Sequence, residues 1–363
     1  MRHRGISAGM IGLVIAAFRL SAIVGQVFWG NICDRYQTNR KVFIITSTLI
    51  LIFSMLLFLA SANWQFYAAA ILLGFCQNST ATNMDTWLLK YYNGSQAVYG
   101  PALAIGSLGY GIFIFFYGKW IADYGFGIVP YFLIFFTCIS ILNAAFIPEA
   151  PIDSTVKKVK MNRSDMKILF KNSEFVFLLI ILFFVGLTIM GMSQIKPMIW
   201  EHMDAGVVYH GYDLSAGIVL QVPVFFMATR FSRISAQKRL AVAVFLYLAS
   251  VSMTIMATHP LMVVLATTIA GTGYGFILPS MREIVRKTAP EQMATTAQGL
   301  GDAMFLSVSG MTGAIISGLA IDIIGFKTLL IVFWFMQTLL FVFVLYKLSA
   351  KPGGNDRKGN VAL

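Results

Sequence analysis

The chain has 363 residues, of which 58% are hydrophobic and only 12% charged, and its mean hydropathy is +0.77. A soluble domain carries roughly 25% charged residues, so a soluble enzyme or binding module is excluded and an integral membrane protein is expected. The net charge of +12 fits basic loops on one side of a bilayer rather than a nucleic-acid surface, and the three cysteines, Cys33, Cys76 and Cys138, lie in or beside apolar spans and build no disulfide framework.

Met1 to Arg4 is basic and precedes an apolar run, as a secretory leader would. Arg19 interrupts that run and no small-residue cleavage site follows, so it reads as a span. A span needs about 20 residues. Eleven apolar segments approach that length: roughly 8–31, 42–61, 65–89, 99–121, 127–148, 174–195, 211–230, 240–257, 260–281, 296–320 and 328–348. Helices satisfy the backbone in lipid, and the short alternating pattern of barrel strands is absent. The chain is expected to be an all-α membrane protein of 11 transmembrane helices, divided into an N-terminal bundle of five spans (1–148), a linker (149–173), a C-terminal bundle of six (174–348) and a polar tail (349–363).

Gly30-Asn31-Ile32-Cys33-Asp34-Arg35, followed by Arg40-Lys41, closes the first apolar segment and opens the second as a tight charged turn. With that turn in the cytoplasm and the spans alternating, 21 of the 27 Lys and Arg residues fall on the inner side, five on the outer side (Arg2, Arg4, Lys119, Lys196 and Lys327) and Arg19 inside a span. Such an excess sets orientation: residue 1 outside, linker and C-terminus inside, in a cell membrane. The halves echo each other at an offset near 200. Gly118 precedes Gly125-Phe126 as Gly318 precedes Gly325-Phe326, and Thr229 to Arg239 is a worn copy of Gly30 to Lys41. Duplicated halves are typical of transporters.

The Gly30 to Lys41 turn, the long basic linker and the second, weaker turn resemble the major facilitator superfamily. Within it Gly12, Ala16, Ala17, Gln26, Gly30, Asp34, Asp85 and the glycines from Gly100 to Gly109 resemble the lactose permease and phenylpropionate permease group. The resemblance implies a two-bundle fold of five plus six spans, without the helix that precedes the charged turn in that family. It also implies that Gly30, Asp34, Arg35, Arg40 and Lys41 act as an inner gate, pairing with neighbouring helices in one state and releasing them in the other. The sequence departs from the group in places: Leu103 stands where its arginine would be, Gln221 precedes Val-Pro223 where glutamate is common, and the 260–281 segment lacks the histidine and glutamate of lactose permeases.

Ionisable groups inside a span cost roughly 2.5–3.5 kcal/mol on insertion scales, so each asks for a reason. Arg19, near mid-span, is a candidate for an anionic solute or for an ion pair. Asp85 and Asp302 are candidates for proton coupling, since a carboxyl in low dielectric exchanges protons near neutrality, with hydrated inner-face contacts as the plainer use. Gln77, Asn78, Asn83, Gln194 and Gln221 suit solute hydroxyls or interhelical hydrogen bonds. Trp87, Tyr110, Trp200 and Tyr274 suit ring stacking or interfacial anchoring. His3, His202, His210 and His259 all fall at the outer side, where plain solvated histidine is expected. Gly271-Thr-Gly273-Tyr-Gly275 lies in an apolar helix and reads as close packing. No Walker loop, cofactor motif or metal set appears, and no enzyme is expected.

These residues imply a secondary transporter, by proton-coupled symport of a sugar-like solute or an aromatic carboxylate, with protons, solute and lipid as partners and no nucleic acid. A drug-efflux antiporter of the same fold and a truncated, non-transporting membrane protein remain alternatives.

Overall fold

The computed structural model describes residues 7–36, 38–91, 96–149, 169–206, 208–227, 231, 233–289 and 294–349. Most of the 149–173 linker, the tail after residue 349 and His3 lie outside them, as do the side chains of Asp34 and Asp85. The first half consists of α1 (Ala8–Tyr36), α2 (Asn39–Leu59), α3 (Asn63–Tyr91), α4 (Gln96–Tyr124) and α5 (Val129–Phe146). The second opens with α6 (Ser173–His202), then the broken pair α7 (Val208–Val219) and α8 (Gln221–Phe226), α9 (Ala236–Ile255) and α10 (Pro260–Thr288). It closes with α11 (Ala294–Asp302), a π-helical segment (Ala303–Val308) and α12 (Ser309–Ser349), which Gly325 breaks into two arms.

These pieces form five plus six rods among the described residues, although only eight continuous helices are long and apolar enough to cross a membrane alone. The difference has local causes. Gln77, Asn78 and Asn83 dilute α3. Pro223 cannot donate to Val219 and its ring crowds that carbonyl, so the seventh rod breaks into α7 and α8. The eighth continuous stretch, 297–349, holds two rods.

Two corrections to the sequence reading follow. The charged turn is shorter than expected: α1 runs on to Tyr36, so Gly30 and Asp34 belong to its last turns, and only residues 37 and 38 separate it from α2. Helix α6 continues past residue 195 to His202, so Lys196 stands inside a helix rather than in a loop.

The rods define a linker end (Tyr36, Glu149, Ser173, Thr288) and a far end (Ala8, Tyr124, His202, Pro260). At the linker end Glu149 Oε1 accepts from the backbone N–H of Asn39 (2.6 Å) and Arg40 (3.0 Å), and the Thr38 hydroxyl donates to Oε2. A carboxylate is thereby set at the positive N-terminus of α2. Asn172 caps α6 through the N–H groups of Glu174 and Phe175. The second half has its own continuous core, in which Phe175, Ile181, Val185, Leu240, Ile277 and Phe305 are fully or almost fully buried.

At the far end the two halves close on each other through glycine. A Cβ on Gly12 of α1 would drive into the Ala314 carbonyl oxygen and stand 3.1 Å from Gly318 Cα on α12. A Cβ on Gly118 of α4 would stand 3.1 Å from Gly211 of α7 and from the Val208 carbonyl oxygen. Small residues let helix backbones meet this closely. The two crossings are related by the duplication, since Gly12 and Gly211 are 199 residues apart and Gly118 and Gly318 are 200 apart. Gly9 N–H donates across the first crossing to Asp322 Oδ2 at 2.7 Å, a carboxylate of one half capping the first helix of the other.

Candidate functional site

A cavity of about 200 Å³ opens inside the second half. It lies between α6, α7, α9, α10 and the π segment, and the glycines make room for those walls. A Cβ on Gly271 would collide with the Gly217 carbonyl, and one on Gly273 would stand 3.1 Å from the Tyr247 ring. The Gly271 to Gly275 run therefore serves close packing. The π segment begins one residue after Asp302 and turns Phe305 and Leu306 into the cavity wall. Such irregular turns within helices occur frequently at functional sites.

The polar groups of the cavity are unequally distributed. Thr188, Ser250, Tyr247 and Tyr274 supply hydroxyls, and Lys196 and Thr267 stand toward the far end. The Lys196 ammonium lies 2.6 Å from Asp213 Oδ2 and 2.7 Å from Thr267 Oγ1. The Thr267 hydroxyl also donates to Asp213 Oδ1. Asp213 is wholly buried. Sequence reasoning misses this trio: it places Lys196 on the outer side, just beyond the 174–195 segment, and Asp213 stands only a few residues into its segment, where it resembles an interfacial charge. The available signal is the apolar Met198-Ile199-Trp200 run, which continues the helical pattern past Lys196.

Arg19 sits eleven residues, about 16 Å, along α1 from its start. Its guanidinium reaches across the seam between the halves. Nη2 is 4.0 Å from Met190 Sδ, and a Cβ on Gly310 would be 3.7 Å from Nε. Nε is buried and has no hydrogen-bond partner. Met190 also lines the cavity, so α6 brings Arg19 and the cavity wall together.

Asp302 ends α11 half-buried, with Arg282 and Tyr274 as its electrostatic neighbours. Tyr274 joins it to the cavity, packing on the rings of Phe305 (5.8 Å) and Phe225 (6.4 Å). Gln221 is half-buried at the start of α8. Gln77 is exposed and Asn78 half-buried on α3, with Gln194 half-buried on α6. None of these amides lines the cavity. Asn83 is committed to structure: it accepts from Asn39 Nδ2 (2.6 Å) and Cys33 Sγ (3.2 Å) and donates to the Asn39 carbonyl (2.7 Å).

Trp87 is anchored by its indole N–H to the Pro148 carbonyl at 3.1 Å, Trp200 stacks on Tyr209 at 6.1 Å, and Tyr110 is exposed. Of the expected gate residues, Gly30 and Arg35 are exposed at the end of α1, and Arg40 and Lys41 open α2 above Glu149. In the second half Arg239 is buried and pairs with Glu283, which also receives Lys287 at 2.7 Å. Among the described residues no group of His, Cys, Asp and Glu could hold a metal ion.

Comparison with known proteins places this architecture. The model of the family described as MFS_1 like matches residues 1–346. An uncharacterized transporter, YwbF, of Bacillus subtilis strain 168 is 21% identical over 361 residues, covering 96% of this chain and 87% of that protein. A maltose permease of Geobacillus stearothermophilus is 22% identical over 307 residues, covering 82% and 75%. Among solved structures, a point mutant of the nucleoside transporter NupG superposes with a TM-score of 0.82 at 15% identity, covering 94% of this chain and 92% of its own. A second NupG structure gives 0.77 at 15% identity, covering 96% and 92%. At that identity the likeness is one of fold.

Proposed function

The chain belongs to the MFS_1 like family of membrane transporters, and from that membership we propose that it carries a small organic solute by proton-coupled symport. The solute binds at the seam between the halves and in the adjoining cavity of the second half. The observation that carries this reading is Arg19: a guanidinium in mid-span, at the seam, with a buried and unpartnered Nε. An ionisable group held there asks for a ligand. Its charge favours a carboxylate on the solute, while the hydroxyls of Thr188, Ser250 and Tyr274 suit a hydroxylated or aromatic body.

The linker end faces the cytoplasm in this reading, because the basic residues concentrate there. The far-end glycine crossings then close the outer side, and rocking one half against the other parts them. Asp302, with Asp85 on α3, serves coupling on the inner side, and Gly30, Asp34, Arg35, Arg40 and Lys41, where α1 gives way to α2, serve as the inner gate. Without a nucleotide-binding loop, the driving force is an ion gradient.

The test is uptake into proteoliposomes of maltose, uridine and phenylpropionate, with and without an acid-outside gradient. Arg19→Gln is expected to raise the KM for phenylpropionate about tenfold or more, the loss of one charge-assisted hydrogen bond. An unaltered KM overturns the role of Arg19, and accumulation indifferent to the gradient overturns symport.

A further inference from the structure

We propose that Asp213, with Lys196 as its counterion and His210 as its link to the far-end pocket, is the station at which the transported proton enters. This rests on the symport reading above. The three groups connect two spaces that the backbone keeps apart. On one side a pocket of about 810 Å³ opens at the far end, lined by His210, Glu201 and Tyr117. On the other lies the inner cavity, with Lys196 and Thr267 in its wall. Asp213 stands between them, wholly buried.

His210 and Asp213 are three residues apart on α7 and so share a face, and His210 feels the charge of both Asp213 and Lys196. On either side of this path the helices meet backbone to backbone, Gly118 on Gly211 and Gly217 on Gly271. A proton passes along imidazole and carboxyl where a solute does not. The charged and titratable groups facing the path are Lys196 and Glu201 from α6 and Tyr117 from α4, with the Thr267 hydroxyl of α10 on the carboxylate itself.

A purely structural ion pair in this place would gain nothing over well-packed apolar residues. Exchange of partners gives the pair a use. The His210 imidazole takes a proton from hydronium in the far-end pocket, leaving water, and passes it to Asp213. One N–H bond breaks, one O–H bond forms, and the carboxylate becomes a neutral acid. Lys196 then loses its charged partner. Its ammonium has three donors, of which two are engaged by Asp213 and Thr267, and the donor that Asp213 releases turns to an acceptor oxygen on the solute in the cavity. When the far end is closed and the linker end open, departure of the solute restores the pair, and Asp213 gives its proton to water that enters the cavity from the linker side. Proton and solute are thereby bound together on one lysine.

The test uses the full chain in proteoliposomes containing a pH-sensitive dye, with maltose, uridine and phenylpropionate as probes. Asp213→Asn is expected to lower probe-driven proton entry about a hundredfold, the lower end of what a positioned proton-transfer group contributes, while probe exchange at equal concentrations on both sides continues. His210→Gln is expected to slow proton entry without abolishing it. Coupled entry that survives Asp213→Asn overturns the proposal, as does coupled entry in Asp213→Leu/Lys196→Met, which removes both charges should the single variant fail to fold. If the wild type moves no protons with any probe, the symport reading is what fails. Infrared pH-difference spectra of the purified protein then judge Asp213 alone. A protonated-carboxyl band present in the wild type and lost in Asp213→Asn supports it, and identical spectra overturn it.

Discussion

The two halves hold together by different means. Most of the apolar stretch of α6, the first helix of the second half, is buried inside the protein, whereas only 6% of the apolar stretch of α5, the last helix of the first half, is buried. The second half buries polar side chains in its interior and pairs them there: Gln337 donates to Thr188 Oγ1 at 2.7 Å, Lys196 meets Asp213, and Arg239 meets Glu283. In the first half the buried polar pairs gather at the linker end, in the Cys33, Asn39 and Asn83 cluster above the Glu149 cap. It also packs closely within itself, where Gly25 of α1 meets the Phe75 carbonyl and Gly74 of α3 the Phe18 carbonyl, and against the other half, α1 along α12 and α4 along α7. The second half is therefore a self-supporting body. The first keeps its buried polar pairs at the linker end, and any motion that parts the far end separates α1 from α12 and α4 from α7.

The sharpest way to break that contrast is to unpair a charge in each half. Lys196→Ala leaves the Asp213 carboxylate buried and uncompensated, and is expected to cost about 3–5 kcal/mol of stability, read from chemical unfolding in detergent. Asp213→Leu/Lys196→Met should recover most of it. The first-half counterpart, Glu149→Gln, removes only a charged helix cap and is expected to cost about 1 kcal/mol. Equal costs would end the distinction between the halves.

A smaller effect sharpens the role of the seam. Gly12→Val puts a side chain into the Ala314 carbonyl, and overpacking of this kind costs about 1–3 kcal/mol. Only the far-end-closed state suffers it. A cysteine placed at Ala314, buried in the closed state, should then be labelled roughly 5–150-fold faster, the shift that such an energy produces in a two-state equilibrium. Labelling at the wild-type rate would show that the crossing is not a closure.

The smallest effect lies at the linker end of the second half. Partial burial pushes the Glu283 carboxyl up, but the hydrogen bond from Lys287 and the charge of Arg239 outweigh it and hold it below the usual carboxylate value. A carboxylate depressed in the folded state contributes stability that is present above its unfolded pKa and lost as pH falls through the folded one. The difference in unfolding midpoint between wild type and Glu283→Gln should therefore be small at neutral pH and vanish on acidification. A difference that grows toward low pH contradicts it.

Much of this arrangement was legible from composition and spacing. Eleven apolar segments, an offset near 200 and the Gly30 to Lys41 turn suffice for an all-α membrane fold of two halves, because span length and backbone satisfaction in lipid leave few options. The seam was half legible: Gly118 and Gly318 were visible as a repeated pair, but not that each meets a glycine of the opposite half. The Lys196, Asp213 and Thr267 trio was not legible, since its members come from three helices and nothing in the local pattern of any one implies the others. Counting apolar residues ended α6 at 195 and made Lys196 a loop charge, when Pro197 is accommodated inside the helix. Arg19 was legible as an anomaly, though its position against Met190 and Gly310 follows only from how the halves meet.

Gly125 and Gly325 carry one more consequence. Their backbones have φ 73°, ψ 178° and φ 75°, ψ 162°, a region open essentially to glycine alone. They stand 200 residues apart, so the duplication persists as a pair of matching torsions where most side chains have diverged. At these two positions heredity has almost no alphabet: mutational drift can rewrite the spans on either side, but a codon change at either glycine forces the chain out of the bend at which one span ends and the next begins. A lineage of such proteins should show its ancestry longest at these two corners.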